Sequence, residues 1–296
     1  MTGVDKNEQC IQCPICDLEM HRHITSWAWR CARCGVQAAN HAATVDPIGW
    51  DSTSNEALTE LRTTNAHRIL ELLQSHTTLP GSRLLDVGCA AGWFLNVANT
   101  YGLNTLGIEP DVSMATAANA AGNKVRNDWF PQAIQADEQF KIVTFNDVYE
   151  HLPNPNQALK DVASCLYEGG YLLLNLPSAD GFLYRTASML ARIGYCGPYE
   201  RLWQCNYESP HLFYFNPDNL RTLVEAHGFH QVGQTRIDAI SIRGLWARIN
   251  ETGNLSPIIA AFIWTAVVVL SPVTRFVLPN DIMVHLYQRQ VPLLNE

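Results

Sequence analysis

The chain has 296 residues, of which 47% are hydrophobic and 16% are charged, with 18 glycines and 15 prolines. These proportions exclude disordered, collagen-like and low-complexity proteins and provide enough apolar side chains for one large domain or two modest ones. The net charge is −8. This charge argues against binding to long RNA or DNA, because proteins that bind them usually present a basic face to the phosphates.

Nine cysteines are present, and five of them lie between positions 10 and 34. The first eight residues include Asp5, Lys6 and Glu8 and lack the apolar stretch of a secretory signal. We therefore expect a reducing, cytoplasmic compartment. In such a compartment, clustered cysteines more often bind a metal ion than form disulfides.

Two C-x-x-C pairs separated by fourteen residues stand in this segment: Cys13 with Cys16, and Cys31 with Cys34. Four thiolates at this spacing typically bind one Zn²⁺ in a tetrahedron, so we predict a zinc-ribbon-like segment over residues 1–45 with a structural Zn²⁺. Cys10 is an alternative ligand, whereas the spacing fits an iron–sulfur cluster poorly. Two roles are open for the ribbon: binding a partner, or stabilising a segment too short to form its own core.

From residue 46 onward, predicted helices and strands alternate. In chain order they are an amphipathic helix at 56–74 within a helical linker (46–80), a strand at 83–87, a helix at 93–101, a strand at 104–108, a helix from Asp111 to Gly122, a strand at 140–145, a helix at 156–167, a strand at 171–176, a helix at 217–227 and late strands at 229–242 and 282–287. Parallel strands need crossover connections, so this alternation predicts an α/β fold with a doubly wound, Rossmann-like, mostly parallel sheet. We place this domain at 81–245, with a substrate lid over about 178–216.

The turn after the first of these strands reads Asp86-Val87-Gly88-Cys89-Ala90-Ala91-Gly92. Gly88 permits a turn that brings backbone N–H groups toward a ligand, and Gly92 lets the next helix pack closely on the strand. A dinucleotide site would show G-x-G-x-x-G, whereas Ala90 stands in the middle here and Asp86 would repel a pyrophosphate. An acid at this place suits an ammonium or sulfonium group. Glu109, at the end of the second strand, is placed to accept both hydroxyls of a ribose.

This pattern resembles the class I S-adenosylmethionine-dependent methyltransferases, many of which modify bacterial polysaccharides or natural products. The resemblance extends over residues 82–238. It implies that S-adenosylmethionine is bound by Asp86, Gly88, Cys89, Ala90 and Gly92 at its methionine end, by Glu109 at the ribose, by Pro110 and Asp128 at the adenine, and by Asn146 in a segment that covers the cofactor. Ala90 departs from the family pattern, because many members have glycine there, and its methyl group would narrow the pocket.

Two later stretches strengthen the resemblance: residues 146–153 resemble the family's fourth-strand segment, and residues 168–170 resemble the turn into its fifth strand. A base helps methyl transfer when the acceptor is a hydroxyl. We place His211, His151 and Asp147 at the catalytic centre, with the two histidines as candidate bases. His211 begins a His-Leu-x-x-Phe segment similar to one that lies over the active-site mouth in related proteins. Either histidine could instead bond a backbone carbonyl and brace a loop.

The C-terminal segment, 246–296, contains thirteen consecutive residues without a charge at 258–270. A helix that spans a bilayer needs about twenty residues. We therefore predict an apolar helix that is buried or lines the mouth of the site, with peripheral membrane contact as the alternative.

Together these features predict a cytoplasmic methyltransferase that acts on a small or lipid-linked acceptor, such as a sugar hydroxyl. One alternative is a non-catalytic adapter that keeps the fold and binds a partner through the ribbon. An RNA or protein methyltransferase is a further alternative, which the acidic charge disfavours. The identity of the acceptor and the oligomeric state are not predicted.

Overall fold

The computed structural model describes residues 11–40, 56–205, 207, 209–238 and 279–290, together with positions 261 and 265. Two predictions lie outside these residues: Cys10 as a ligand, and the nature of the apolar stretch 258–270 apart from its two described positions. The late strand predicted at 229–242 ends at Thr235, because residues 236–238 no longer pair with the neighbouring strand. Within the described ranges, no helix has the length and hydrophobicity needed to cross a membrane.

The chain begins with three short antiparallel strands, β1 (His21–Arg22), β2 (Ala28–Arg30) and β3 (Gln37–Ala39). The described elements that follow are α1 (Glu56–Gln74), β4 (Arg83–Val87), α2 (Trp93–Thr100), β5 (Asn104–Ile108), α3 (Val112–Ala120), β6 (Val125–Arg126), β7 (Phe140–Asn146), a 3₁₀ turn (Tyr149–His151), α4 (Pro155–Cys165), β8 (Leu166–Pro177), α5 (Phe182–Arg192), α6 (Gly197–Leu202), β9 (Phe213–Tyr214), α7 (Pro217–Glu225), β10 (Phe229–Thr235) and β11 (Ile282–Arg289). Polar caps begin several of the helices. Asp111 Oδ1 accepts from the Met114 N–H at α3, and Asn216 forms a capping box at α7.

Seven strands form the central sheet in the order β10-β11-β8-β7-β4-β5-β6. Strands β8, β7, β4, β5 and β6 run parallel, and β11 is antiparallel to both β8 and β10. Helices cover both faces: Leu84 of β4 shares an apolar core with Leu95 of α2, whereas the next residue, Leu85, shares another with Leu159 of α4. The predicted doubly wound, mostly parallel α/β fold is confirmed.

The prediction was wrong in detail around α4 and β8. The helix ends at Cys165 rather than 167, because Leu166 already has extended backbone and pairs with Phe140. The Glu-Gly-Gly stretch at 168–170 lies inside β8 and is not a turn before it. Gly169 has a φ of 66°, and the β7–β8 register shifts beside it, so the left-handed residue bends a strand without ending it.

A second sheet joins the N-terminal strands to the predicted lid in the order β1-β2-β3-β9. Gln37 and Ala38 of β3 pair with Tyr214 and Phe213 of β9. An aromatic core lies at this junction and includes Tyr184, Tyr199, Trp203 and Tyr214. The N-terminal segment therefore packs directly against residues 178–216, while the domain boundaries predicted above stay predictions.

Candidate active site

The predicted cofactor residues gather at the carboxyl ends of β4, β5 and β7, the edge at which ligands bind in open parallel sheets. The turn after β4 is built from left-handed residues, with φ values of 69° at Gly88, 46° at Ala90 and 80° at Gly92. The N–H groups of Gly88, Cys89, Ala90 and Gly92 all donate within the protein, so the turn is fixed by its own hydrogen bonds. Ala90 adopts the left-handed conformation although it has a Cβ atom, and the conformation is strained for residues other than glycine.

Gly88 lies against the segment that follows β7. A Cβ atom at this position would stand 2.6 Å from Cγ2 of Val148, which is closer than real Cβ contacts allow. The backbone N–H of Gly88 donates to the carbonyl of Ile108 at 2.8 Å. The turn is therefore held between the ends of β5 and β7, in a space that only glycine leaves open.

Asp86 is the central charged residue of the site and is only 2% exposed. Its Oδ1 accepts hydrogen bonds from the Thr144 hydroxyl at 2.7 Å and from the Asn146 amide at 2.9 Å. Burial raises the pKa of Asp86 to about 7, and these two hydrogen bonds oppose the shift. A cation bound beside this carboxyl would favour its ionised form.

Glu109 connects the turn after β4 with the segment after β5. Its Oε2 accepts from the Ala90 N–H at 2.8 Å, and its Oε1 accepts from the Asp111 N–H at 2.9 Å. Burial raises the pKa of Glu109, and the two backbone donors oppose the rise. Each carboxylate oxygen can accept a further hydrogen bond, so the side chain can still accept a hydroxyl from a ligand.

The remaining predicted cofactor residues occupy different environments. The Asn127 amide donates to the carbonyl oxygens of Glu109 and Pro110, both at 2.9 Å, which brings residues 127–128 beside the end of β5. Asp128 itself is exposed and accepts from the Trp129 N–H. The Cys89 thiol is buried in the core and fills the space above Gly107. Cys89 can therefore meet a ligand through its backbone, with its sulfur turned toward the protein.

Asp147 follows β7 in a left-handed conformation, with a φ of 55°. Its side chain is exposed, and the nearby Arg62 guanidinium favours its ionised form. Arg62 belongs to α1 and lies over the Trp93 ring at 4.1 Å. The sequence analysis did not include Arg62 or Trp93 in the site, because a helix that precedes the first strand gives no sign of which strand end it covers.

The two histidines predicted as bases lie together, with ring centroids 4.7 Å apart. His151 Nδ1 lies 3.0 Å from the Pro210 carbonyl oxygen, which is the loop-bracing contact considered above. Burial lowers the pKa of His151. His211 is buried, and its Nε2 lies 3.9 Å from Oε1 of Glu150.

Glu150 is a site residue that the sequence analysis missed. It is 1% exposed, and neither of its carboxyl oxygens has a hydrogen-bond partner among the described residues. Burial raises its pKa well above the ordinary value, and the charge of Asp147 adds to the rise. Its position beside His151 in the sequence was the available signal, but nothing there indicated that the side chain turns toward His211.

Two clusters have the donors that a metal ion needs. Ligand atoms of Cys13, Cys16, Cys31 and Cys34 lie within 4.8 Å of one another, and those of Glu150, His151 and His211 do the same. Tetrahedral zinc with Zn–S bonds of about 2.3 Å would place its sulfurs about 3.8 Å apart, and Cys13 and Cys34 have their sulfurs at 3.5 Å. The cysteine geometry therefore fits Zn²⁺.

The chain matches a known protein family over more than half of its length. The family described as Methyltransferase domain matches residues 58–234. A ubiquinone biosynthesis O-methyltransferase from Xanthomonas campestris pv. campestris (strain B100) is 29% identical over 135 residues, which cover 42% of this chain and 56% of that protein. The chain thus spans about half the length of the curated relatives that it matches.

Solved structures share the fold at low sequence identity. A chain in the complex between the Haloferax volcanii Trm112 methyltransferase activator and the putative methyltransferase has a TM-score of 0.54 and 14% identity, covering 80% of this chain and 96% of that one. A possible histamine N-methyltransferase from Thermotoga maritima has a TM-score of 0.51 and 19% identity. The match covers 79% of this chain and 94% of that one. At these identities, the likeness is one of fold.

Proposed function

The chain belongs to the methyltransferase-domain family, and from that premise we propose that it transfers a methyl group from S-adenosylmethionine to a hydroxyl oxygen of a small or lipid-linked acceptor, such as a sugar. The observation that carries the proposal is the buried Asp86 carboxyl beside the Gly88 turn, which suits a cationic ligand and not a diphosphate. The name of the Xanthomonas relative, an O-methyltransferase, supports oxygen as the methylated atom.

The chemistry of the residues fits S-adenosylmethionine. Oδ1 of Asp86 accepts both of its hydrogen bonds within the described chain, so Oδ2 is the oxygen available to an ammonium or sulfonium group. Glu109 has one backbone donor on each oxygen and spare acceptor capacity for a ribose diol. Gly88, whose Cβ atom would clash with Val148, lets the turn after β4 lie directly against the segment that follows β7.

When bound, S-adenosylmethionine supplies an electrophilic methyl group on sulfur. The protein then has to hold the acceptor oxygen in line with that methyl group and exclude water. His211 is the group that we propose takes the hydroxyl proton, because its imidazole is buried beside Glu150, which belongs to the 3₁₀ turn after β7. His151, whose Nδ1 faces the Pro210 carbonyl, orients the loop that carries His211.

We further propose that Cys13, Cys16, Cys31 and Cys34 bind one structural Zn²⁺. The N–H groups of Ile15 and Cys16 both lie 3.4 Å from the Cys13 sulfur, an arrangement that stabilises a thiolate. Arg30 approaches the second pair, with its guanidinium 3.5 Å from where a Cβ atom on Gly35 would stand, and offsets the negative charge of the centre. A cytoplasmic location and membrane contact through 258–270 stay predictions.

Isotope-labelled S-adenosylmethionine, supplied with small-molecule and lipid extracts, tests the enzyme. We expect S-adenosylhomocysteine and one labelled acceptor, whose alkali-stable ether linkage would identify an O-methyl product. Binding of the cofactor with no S-adenosylhomocysteine from any extract would favour the adapter. Binding of a nicotinamide dinucleotide in place of S-adenosylmethionine would contradict the proposal. Labelled RNA, with binding that weakens steeply as salt rises, would favour an RNA methyltransferase.

A further inference from the structure

We infer that the cysteine head, residues 11–40, positions the acceptor side of the active site, so that binding of Zn²⁺ is coupled to the order of the His211 segment and the lid but not to cofactor binding. This inference rests on the proposed function, which assigns one side of the site to the acceptor and the other to the cofactor. The coupling itself rests on contacts between the head and three other parts of the chain.

The first contact is a backbone connection to the strand that follows His211. The second C-x-x-C pair forms the turn of the β2–β3 hairpin, where the Cys31 N–H donates to the Val36 carbonyl at 2.9 Å. Strand β3 continues from this turn and pairs with β9. The metal-binding pair and β9 are therefore separated by a single strand of three residues.

The peptide groups around His211 form hydrogen bonds with several other parts of the chain. The Leu212 carbonyl accepts from the Ala39 N–H of the head, and the Leu212 N–H donates to the Glu150 carbonyl, both at 2.9 Å. The His211 N–H donates to the Trp203 carbonyl at 3.1 Å. The head thus supplies one of the hydrogen bonds that hold the backbone around His211, together with those from Trp203, Glu150 and His151.

The second contact is a buried polar junction between the head and both lid helices. Oε1 of Gln37 accepts from the Tyr184 hydroxyl of α5 at 2.7 Å and lies 3.4 Å from the Tyr199 hydroxyl of α6. All three side chains are buried. Trp27 stacks on the Tyr199 ring with centroids 5.6 Å apart. Helices α5 and α6 therefore pack on the sheet formed by β1, β2, β3 and β9. The second cysteine pair forms the turn between β2 and β3 of this sheet.

The third contact ties each cysteine pair to the large domain. The Asn156 amide of α4 donates to the Pro14 carbonyl at 2.8 Å, within the first pair, and the Asn219 amide of α7 donates to the Cys34 carbonyl at 3.2 Å, within the second. A metal ion that draws the two pairs together would fix both attachments at once. Strands of two or three residues cannot supply this order alone.

The cofactor side is built from other elements. Asp86 is bonded by Thr144 and Asn146 of β7, and Glu109 by Ala90 and Asp111. These partners belong to the large domain. Loss of the metal should therefore loosen the His211 segment and the lid while Asp86 and Glu109 keep their partners. Linkage requires the reciprocal effect, in which bound acceptor slows the loss of Zn²⁺.

The test compares the full-length protein with Cys31→Ser and Cys34→Ser, and with Cys165→Ala as a control that removes a buried thiol of α4 outside the cluster. Zinc content, hydrogen exchange over residues 182–205 and 209–216, and calorimetric affinity for S-adenosylmethionine are measured on each. We expect the two serine variants to lose zinc, to exchange at least about tenfold faster in both segments and to keep cofactor affinity within about twofold. The control should match the wild type.

Gln37→Leu separates the junction from the metal, because all four cysteines remain. We expect a full equivalent of zinc, faster exchange in residues 182–205 and an unchanged affinity for S-adenosylmethionine. Gln157→Leu, at an exposed position of α4, is the matched control.

Unchanged exchange in both segments after zinc loss would overturn the coupling. An equal loss of cofactor affinity would also overturn it, since that result indicates general unfolding. A protein that does not bind S-adenosylmethionine would contradict the proposed function. The coupling would still be tested, because hydrogen exchange is measured without turnover.

Discussion

Nε2 of His211 lies 3.9 Å from Oε1 of Glu150, and both side chains are buried. A carboxyl without hydrogen-bond partners in the described structure is costly to bury, because it loses its hydration without compensation. Burial raises the pKa of Glu150 well above its ordinary value, which favours the neutral acid. Such a group, kept beside a histidine at a strand end, is better explained by function than by stability.

Replacing Glu150 with leucine should therefore separate stability from activity. We expect Glu150→Leu to raise the free energy of unfolding by about 1–3 kcal/mol, because it removes an uncompensated buried polar group of similar size. Turnover should fall, since the imidazole of His211 then faces an apolar side chain in place of the Glu150 carboxyl. Chemical denaturation and steady-state assays measure the two effects. Glu150→Gln is the control that keeps the polar shape, and a destabilised leucine variant with full turnover would contradict the interpretation.

The alternation of strands and helices was sufficient to predict the central fold. Apolar strands such as Arg83–Val87 and caps such as Asp111 are local signals, and both appear where they were expected. The boundary at Cys165 was missed because Leu166 serves a helix and a strand equally well by pattern. Its pairing with Phe140 decides between them, and that contact is tertiary.

Only part of the candidate site could be predicted from the sequence. Asp86 lies near the end of β4, and Gly88 and Glu109 directly follow β4 and β5, so their proximity follows from parallel topology alone. Glu150 and Gln37 could not be identified in the same way, because their importance depends on contacts with His211 and Tyr184, which are distant in the chain. The pairing of β3 with β9 is the main structural relationship that no local pattern indicated.

Gly88→Ala should weaken cofactor binding and stability together. The new methyl group would meet Val148 at 2.6 Å, and a φ of 69° is strained for alanine. We expect a loss of about 1–3 kcal/mol in stability and a clear rise in the Kd for S-adenosylmethionine. Thermal unfolding and calorimetry measure the two effects.

The matched control is Gly122→Ala, which also has a positive φ but has nothing within 4 Å of the new Cβ atom. It should show the strain alone and bind the cofactor normally. Adding Val148→Ala to Gly88→Ala should recover part of the loss, and the absence of any recovery would show that the contact with Val148 is not the cause.

His211→Ala and His151→Ala should have different effects. If His211 removes the acceptor proton, its loss should lower kcat by about 10²–10⁴-fold without changing the cofactor Kd. His151 braces residues 209–210 through Nδ1, so its loss should mainly raise the acceptor KM. Steady-state kinetics and calorimetry separate these terms. Unchanged turnover in both variants would remove both histidines as bases.

The pH dependence of cofactor binding should follow Asp86. Burial raises its folded-state pKa to about 7, so the carboxyl is neutral below this pH and ionised above it. Without ligand, the contribution of Asp86 to stability is present at low pH and is lost as the pH rises through about 7. A cationic ligand reverses this preference, because it binds the ionised form. Affinity for S-adenosylmethionine should therefore improve about tenfold between pH 6 and pH 8, since the ionised fraction rises by about that factor.

The decisive comparison is Asp86→Asn, which keeps the shape of the side chain but cannot ionise. Its affinity should be lower, by about 1.5–3 kcal/mol for a lost charged hydrogen bond, and nearly constant from pH 6 to pH 8. Adenosine, which carries neither the sulfonium nor the ammonium group, should bind the wild type without this pH dependence. Calorimetry at three pH values measures all of these. A wild-type affinity for S-adenosylmethionine that stays flat with pH, together with an unchanged affinity in Asp86→Asn, would show that Asp86 does not face the cationic end of the ligand.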